Sequence, residues 1–360
     1  MHSQVLICGP HAHSMSSITR VMMLVVLALL PTTLFGLYVF GWPAIFLFLV
    51  TLVSALAFEA MCLFIAQKSI SRYLFDGSAL LTGWLVAMTL PPWAPWWIGV
   101  LGSGIAIIVG KHLYGGLGQN PFNPAMVARI MLLISFPLHM TTWIMPAPLF
   151  SKNAPGFLEG FAITFFGNVQ FDAISQASVL DYVSAELGRA RTLETILPET
   201  FSYLSLTLGQ VPGSIGETSA LLILVGGVIL LFTRTVTWHI PLSIIITTVV
   251  LASIFNFIDP NRYPDAIFHL ASGSLIFCAF FFATDYVTSP TAPEAQLVYG
   301  VGIALLTFVI RTWAAFPEGV GFAILFMNAC TPLIDHFIRP RVFGRNRSGK
   351  PLVAATGGKK

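Results

Sequence analysis

Long apolar segments separated by short polar ones dominate this sequence. No charged residue lies between Arg20 and Glu59, or between Asp76 and Lys111. A helix needs about 20 apolar residues to cross roughly 30 Å of hydrocarbon. The pattern therefore predicts an all-α polytopic membrane protein with about ten transmembrane helices. Their approximate ranges are 18–35, 42–66, 77–90, 96–110, 124–140, 218–233, 238–257, 270–284, 296–310 and 319–335.

Two of the predicted spans are short and begin alike. Gly77-Ser78 opens a run that ends at Pro91-Pro92, and Gly273-Ser274 opens one that ends at Thr284-Asp285. With five spans in each half, the second half is inverted relative to the first. Paired broken helices in inverted repeats indicate a binding site near the membrane midplane. The alternative is that both runs are ordinary short or tilted spans.

A single long polar stretch, residues 141–217, divides the chain. We predict a five-helix half over 1–140, a loop over 141–217, an inverted five-helix half over 218–337 and a basic tail over 338–360. With the N-terminus inside, twelve Lys and Arg residues fall on the cytoplasmic side and five on the other. Because cytoplasmic segments of membrane proteins are rich in Lys and Arg, both termini are predicted to be cytoplasmic and the loop extracytoplasmic.

The composition excludes several classes of protein. Hydrophobic residues make up 56% of the chain and charged residues 9%, whereas soluble domains carry about 25% charged residues. A soluble enzyme, a secreted disulfide scaffold and a nucleic-acid binder are therefore excluded. The four cysteines are far apart, with no CxxC pair. We expect no metal or iron–sulfur site built by this chain alone.

Three polar positions within apolar surroundings are candidates for chemistry. The segment 115–124 contains three glycines and two prolines, which prevent a regular helix, and it carries Asn120 and Asn123. Their amides both donate and accept hydrogen bonds, which suits the polar edge of a heterocycle. Asp285 and Glu59 are acids at membrane depth, where acids are costly unless paired or functional. For the polar segments 115–124 and 284–290 the alternative is a loop whose side chains satisfy its own backbone. Glu59 is a candidate for ion passage; the alternative is that it lies near the cytoplasmic end of its span and reaches water.

Five segments carry a resemblance to a known family. Gly118–Pro124 (GQNPFNP), followed by Ala125–Arg129, resembles RnfD, the D-type subunit of the Rnf ion-translocating oxidoreductase. The segment is also similar to the homologous B-type subunit of the sodium-translocating NADH:quinone oxidoreductase. The resemblance extends from residue 10 to about residue 344. The other four matching segments are 10–13, 212–219, 283–290 and 317–335.

The resemblance implies a flavin mononucleotide (FMN) bound covalently, through its phosphate, to a hydroxyl side chain in the extracytoplasmic loop. The family motif, Asp-x-Ile/Val-Ser-x-Ala-Thr, aligns with residues 172–178, so Ser178 is the implied attachment residue. Asp172 and Ser175 belong to the same motif. Here Ser178 replaces threonine, and Ala173 and Gln176 replace positions that are usually glycine. The residues expected to support the loop flavin from the start of the sixth span are Ser214, Gly216, Glu217 and Thr218.

Ser178 and the 214–219 segment each have a second interpretation. Ser178-Val179-Leu180-Asp181 is also a helix-capping pattern, and Ser178 can serve both roles because a helix N-terminus favours a phosphate. The 214–219 segment can be an ordinary helix start, with Glu217 in its first turn. The family is further implied to hold a second, non-covalent flavin, such as riboflavin, within the membrane. By motif, Asn120, Asn123 and Asp285 would meet this flavin.

These implications describe an electron-transfer subunit of a translocase in the bacterial cytoplasmic (inner) membrane. It would be coupled to Na⁺ or H⁺ translocation and would complete no reaction alone. The expected partners are a covalent-FMN subunit, iron–sulfur subunits, small membrane subunits, membrane lipid and a flavin transferase, but no nucleic acid. The alternatives are a secondary transporter or channel of the same architecture and a structural subunit without flavin.

Overall fold

A computed structural model describes residues 17–152, 154–167, 175–189, 191–200, 202–314, 316 and 318–340, with backbone only at 175–176 and 197–200. Its helices are α1 Ile18–Ile65, α2 Ile70–Leu74, α3 Ser78–Thr89, α4 Trp96–Gly104, α5 Pro124–Ser135, α6 Pro137–Thr141, α7 Phe157–Phe166, α8 Val179–Gly188, α9 Leu193–Thr200, α10 Tyr203–Leu208, α11 Ala220–Phe232, α12 His239–Ile258, α13 Ala266–Ala271, α14 Leu275–Phe281, α15 Pro293–Trp313 and α16 Val320–Phe337. A π-helical turn follows α4 at Ile105–Val109, and 3-10 turns occupy His112–Tyr114 and Ile215–Glu217. The strands are β1 Trp143–Ile144 and β2 Ser175–Gln176.

The prediction of an all-α polytopic membrane protein is confirmed. Among the residues that the structure describes, five helical segments are long and apolar enough to cross a membrane: α1, Trp96–Tyr114, α12, α15 and α16. Shorter apolar helices occupy the remaining predicted spans, and large apolar side chains on α5 and α11 are exposed. In a bilayer, such surfaces contact lipid.

The first two predicted spans are two helices that follow each other directly and meet at a kink. α1 runs for 48 residues and is interrupted at Gly41, whose φ is 74°. Glycine adopts this left-handed conformation without a steric penalty. Pro43 follows two residues later and removes a hydrogen-bond donor. A sharp change of direction at Gly41 thus replaces the loop that the sequence suggested between residues 35 and 42.

The two short spans have matching starts. Gly77 (φ 85°) precedes α3, and Gly273 (φ 66°) precedes α14 by one serine. At 1.5 Å per residue, α3 and α14 are about 18 Å and 10 Å long, so neither crosses the hydrocarbon as a regular helix. The opposite orientation of the two halves and the four-part division of the chain stay predictions.

The segment 212–219, which precedes α11, lies at the centre of the protein between the two halves. Gly216 packs so closely that a Cβ atom would lie 2.8 Å from the Met88 backbone oxygen and 2.9 Å from the Phe277 ring. The backbone N–H of Ile215 donates to Leu90 O at 3.4 Å. The core around it contains residues from α1, α3, α14 and α16. The 3-10 turn at Ile215–Glu217 therefore joins the C-terminal end of α3 to α14.

Candidate functional sites

Ser178 is the N-cap of α8, a ten-residue helix in the long loop. Its hydroxyl oxygen accepts from the backbone N–H of Asp181 at 3.1 Å and donates to Asp181 Oδ2 at 2.5 Å. The side chain is 5% exposed. Ser178 thus has the capping geometry that its sequence indicated, and it directs a hydroxyl at the first turn of a helix, where free N–H groups favour an anion.

The part of the loop around α8 and α9 is attached at several points, both to β1 at the start of the loop and to the segment between α12 and α14. β2 pairs antiparallel with β1, with Trp143 opposite Gln176. The N–H of Leu193 donates to Asn261 O at 3.0 Å. A separate apolar cluster packs α8 against α13, with Leu180 and Phe268 among its buried members. Ser178 therefore lies two residues after a strand that is anchored on the membrane part. Asp172 lies outside the described residues, as does the side chain of Ser175.

Arg129 joins three distant parts of the chain. Its Nη2 donates to Glu318 Oε2 and lies 4.0 Å from Glu217 Oε1. Its guanidinium also lies 6.0 Å from the ring centroid of Trp143 in β1. All three ionic side chains are at least 87% buried. The sequence pattern did not single out Glu318, because 189 residues separate it from Arg129.

The four residues predicted to support the loop flavin from 214–218 are all buried. Glu217 reaches back to the start of the 3-10 turn, where the Ser214 N–H donates to Glu217 Oε2 at 3.5 Å, and the Glu217 N–H donates to the backbone oxygen of Ser214 at 3.1 Å. Ser214 Oγ is buried without a hydrogen-bond partner. Thr218 donates to Ile215 O at 3.4 Å. In the structure, Glu217 lies near Arg129. That the four residues support a flavin stays a prediction.

Asn120, Asn123 and Asp285 line one cavity between the two halves. Asn123 caps α5, accepting from Ala125 N at 3.1 Å and Met126 N at 3.2 Å, and its Nδ2 donates to Phe282 O at 3.4 Å. Asn120 Nδ2 donates to Phe122 O at 3.1 Å. The Asn123–Phe282 bond links the interrupted segments of the two halves directly.

Asp285 is held by its own segment. Its Oδ1 accepts from Val287 N at 3.4 Å, and its Oδ2 accepts from Thr288 Oγ1 at 3.2 Å. A carboxylate has about four acceptor sites, so these two bonds leave capacity for a ligand. The cavity volume is about 90 Å³. This is below the roughly 300–1,000 Å³ of pockets that hold drug-sized ligands, so a flavin would require side chains at its mouth to move.

Glu59 belongs to a buried ionic network that the sequence did not predict. Lys111 Nζ lies 2.8 Å from Glu59 Oε1 and also donates to Ser78 Oγ at 2.8 Å. His112 Nε2 is 3.0 Å from Glu59 Oε2, without the alignment of a hydrogen bond. Ser78 Oγ donates to Asp76 at 2.6 Å. Lys111 and Ser78 also line the Asn120 cavity, so this network connects Glu59 with the candidate flavin site.

The chain is similar to known membrane-complex subunits over nearly its whole length. The profile of the NQR2, RnfD, RnfE family matches residues 5–344. The chain is 54% identical over 340 residues to the D-type subunit of the ion-translocating oxidoreductase complex of Stutzerimonas stutzeri, covering 94% of this chain and 96% of that one. It is 55% identical over 321 residues to the corresponding subunit of Rhodobacter capsulatus, covering 89% and 88%. For Halorhodospira halophila, the identity is 49% over 347 residues, covering 96% and 97%.

Proposed function

Because the chain belongs to the NQR2, RnfD, RnfE family, we propose that it is a membrane subunit of an Rnf-type ion-translocating oxidoreductase complex that transfers electrons through two flavins. The similarity covers nearly the whole of both chains, which supports the same subunit role. The main support for a covalent flavin is the position of the Ser178 hydroxyl. It lies at the N-terminus of α8, within a stretch that follows the family motif. A bound flavin supplies a group that accepts electrons singly or in pairs.

The residues around Ser178 suit a phosphoester. The hydroxyl provides the oxygen for the bond, and the first-turn N–H groups of α8 stabilise negative charge on the phosphate. The anchored β1–β2 pair fixes the position of this segment relative to Arg129 and Trp143. In the structure the Ser178 hydroxyl donates a hydrogen bond to Asp181 Oδ2, and this bond would be lost on attachment because the esterified oxygen carries no proton.

Three substitutions at Ser178 separate attachment from capping. Ser178→Asn keeps an N-cap oxygen but removes the hydroxyl, so we expect complete loss of a covalent flavin with little loss of helix stability. Ser178→Thr keeps both functions and should retain the adduct, whereas Ser178→Ala loses both. The measurement is peptide mass mapping and in-gel flavin fluorescence after co-expression with a flavin transferase.

Ser202→Ala is the matched control, because Ser202 caps α10 in the same loop through the same kind of bond to residue i+3. It should leave the adduct unchanged. An unmodified Ser178 peptide in the wild-type protein, despite a modified partner subunit, would contradict the proposal. The flavin-free subunit and the transporter or channel would then become the leading alternatives.

The second flavin is proposed for the cavity of Asn120, Asn123 and Asp285. Asn120 and Asp285 offer polar groups from opposite halves, while Lys111 adds a cation to the same lining. Asn123 contributes mainly by fixing the start of α5 and the Phe282 backbone. Movement of electrons to a site between the halves gives a route by which redox state can influence their packing, and thus Na⁺ or H⁺ passage. Glu59 is the proposed ion-path residue.

Changes in this cavity should lower non-covalent flavin content selectively. We expect Asn120→Ala and Asp285→Leu to reduce the flavin released by acid precipitation, while the covalent flavin stays on the protein. Asn123→Asp keeps the oxygen that caps α5 but loses the amide that donates to Phe282 O, so we expect a smaller loss than in the other two variants but not the full flavin content. Gln119→Ala is the control, since Gln119 is exposed and does not line the cavity. If all four variants release the same amount of flavin, the proposal that this cavity binds the second flavin is contradicted.

The location and partners follow from the same proposal. The chain is a multi-pass membrane protein, and we place it in the bacterial cytoplasmic membrane, with both termini cytoplasmic and the 141–217 loop extracytoplasmic. Its partners are the covalent-FMN, iron–sulfur and small membrane subunits of the complex, and a flavin transferase attaches the loop flavin.

A further inference from the structure

A second and larger cavity lies where the long loop meets the ends of two membrane helices. Its volume is about 520 Å³, within the range of pockets that hold small ligands. It is bounded by α8, by the connection 259–264 that follows α12, and by the last turn of α15. Because α12 and α15 are both long enough to span the bilayer, the cavity lies at a membrane–water boundary.

Two arginines of this cavity form no ion pair with any residue that the structure describes: Arg262, which is exposed, and Arg311, which is buried. Arg311 donates through Nη1 to His269 O at 2.8 Å and through Nη2 to Ser272 O at 3.2 Å. Its Nε is buried without a hydrogen-bond partner. Burying a hydrogen-bond donor without a partner costs free energy. An acceptor that reached Arg311 Nε would therefore stabilise this side chain.

His269 presents a second unpaired group. Its Nδ1 is buried without a partner, and the residue is 5% exposed. Burial, together with the neighbouring Arg311 charge, lowers the pKa of His269 to about 3, so the imidazole is neutral near pH 7. The other charged groups in the lining are Arg191, which already pairs with Glu186 at 3.1 Å, and Asp259. The lining thus combines two unpaired guanidinium groups with one carboxylate.

The surface beside the cavity is strongly apolar. Phe257 is 90% exposed, Ile258 68% and Trp313 53%, and all three stand at the ends of α12 and α15. Trp side chains are favoured at the interface between hydrocarbon and water. A ligand that fits both regions carries a charged phosphate at one end and acyl chains at the other.

We propose that this cavity binds the phosphodiester headgroup of a membrane phospholipid. Arg262 and Arg311 would hold the phosphate, Asp259 is placed to accept from a headgroup amine, and the acyl chains would lie along Phe257, Ile258 and Trp313. Since Leu180 and Val183 of α8 line the same cavity, the bound lipid would also help to hold the flavin-bearing loop on the membrane part. The site is independent of whether Ser178 carries a flavin.

Native mass spectrometry of the full-length protein in detergent tests this proposal. Phosphatidylethanolamine, phosphatidylglycerol and diacylglycerol are each titrated onto delipidated protein. We expect one phospholipid to bind tightly and diacylglycerol, which lacks the phosphate, to bind at least tenfold more weakly. Arg262→Gln should weaken the phospholipid about tenfold, the change expected from loss of one charge-assisted hydrogen bond.

Arg262 is exposed, so its replacement does not disturb packing, whereas Arg311 holds backbone carbonyls and is unsuitable as the first variant. Arg189→Gln is the matched control: Arg189 is 74% exposed in its side chain, pairs with Glu186 and does not line the cavity. Equal binding of diacylglycerol, or an unchanged affinity in Arg262→Gln, overturns the proposal. The proposal is also overturned if inorganic phosphate at millimolar concentration displaces the phospholipid and binds with the same affinity. The cavity would then be a site for a soluble anion.

Discussion

Replacing Arg129 with methionine is expected to destabilise the protein by about 3–5 kcal/mol, the usual cost of leaving a buried charge without its partner. The substitution removes the cation between Glu318 and Glu217 while keeping a side chain of similar length. Both carboxylates would then face a site from which water is excluded. The free energy of unfolding in detergent, measured with a denaturant, should fall accordingly.

The partner substitutions separate charge from packing. Arg129→Met combined with Glu318→Gln and Glu217→Gln removes all three charges, so most of the lost stability should return. Glu186→Gln serves as the comparison, because Glu186 is buried but the side chains of its partners Arg189 and Arg191 are 74% and 38% exposed, so water can hydrate both guanidinium groups after the carboxylate is removed. If the triple variant is as unstable as Arg129→Met alone, packing of the Arg129 side chain, and not its charge, stabilises this centre.

The helices were predictable because their signals are local. Runs of apolar residues set the spans, and Gly77 and Gly273 marked the starts of both short helices, where each adopts a positive φ. The cap at Ser178 was equally local, because the bond joins residues three apart. The sequence separated the first two spans between residues 35 and 42, and the structure has a kink within this interval, at Gly41.

The ionic centres were not predictable because their partners are distant in sequence. Arg129 and Glu318 are 189 residues apart, and Lys111 and Glu59 are 52 apart. Nothing in the neighbouring residues of Lys111 indicates that its ammonium turns inward. The general rule that acids at membrane depth are paired or functional singled out Glu59, but only the fold identifies its partner. The β1–β2 pairing is similar, since two-residue strands carry no detectable periodicity.

A second large effect is expected at Lys111. Lys111→Met should lower the free energy of unfolding by about 3–5 kcal/mol, because it leaves the Glu59 carboxylate buried without the ammonium that lies 2.8 Å from it. Glu59→Gln should cost a similar amount by leaving the ammonium with Ser78 as its remaining partner among the described contacts. The double variant carries neither charge, and we expect it to recover most of the stability.

The double variant also distinguishes a structural role of Glu59 from ion passage. If Glu59 only balances Lys111, a stable double variant assembled into the complex should translocate ions at the wild-type rate in vesicles. If Glu59 takes part in ion passage, electron transfer should continue while translocation falls at least tenfold. Lys68→Met is the control, since Lys68 is an exposed lysine near this region that donates to a backbone carbonyl. Recovery of stability and of electron transfer without recovery of translocation would assign the Glu59–Lys111 pair to the ion path, because the missing function could then be attributed neither to misfolding nor to loss of the second flavin, whose cavity Lys111 lines.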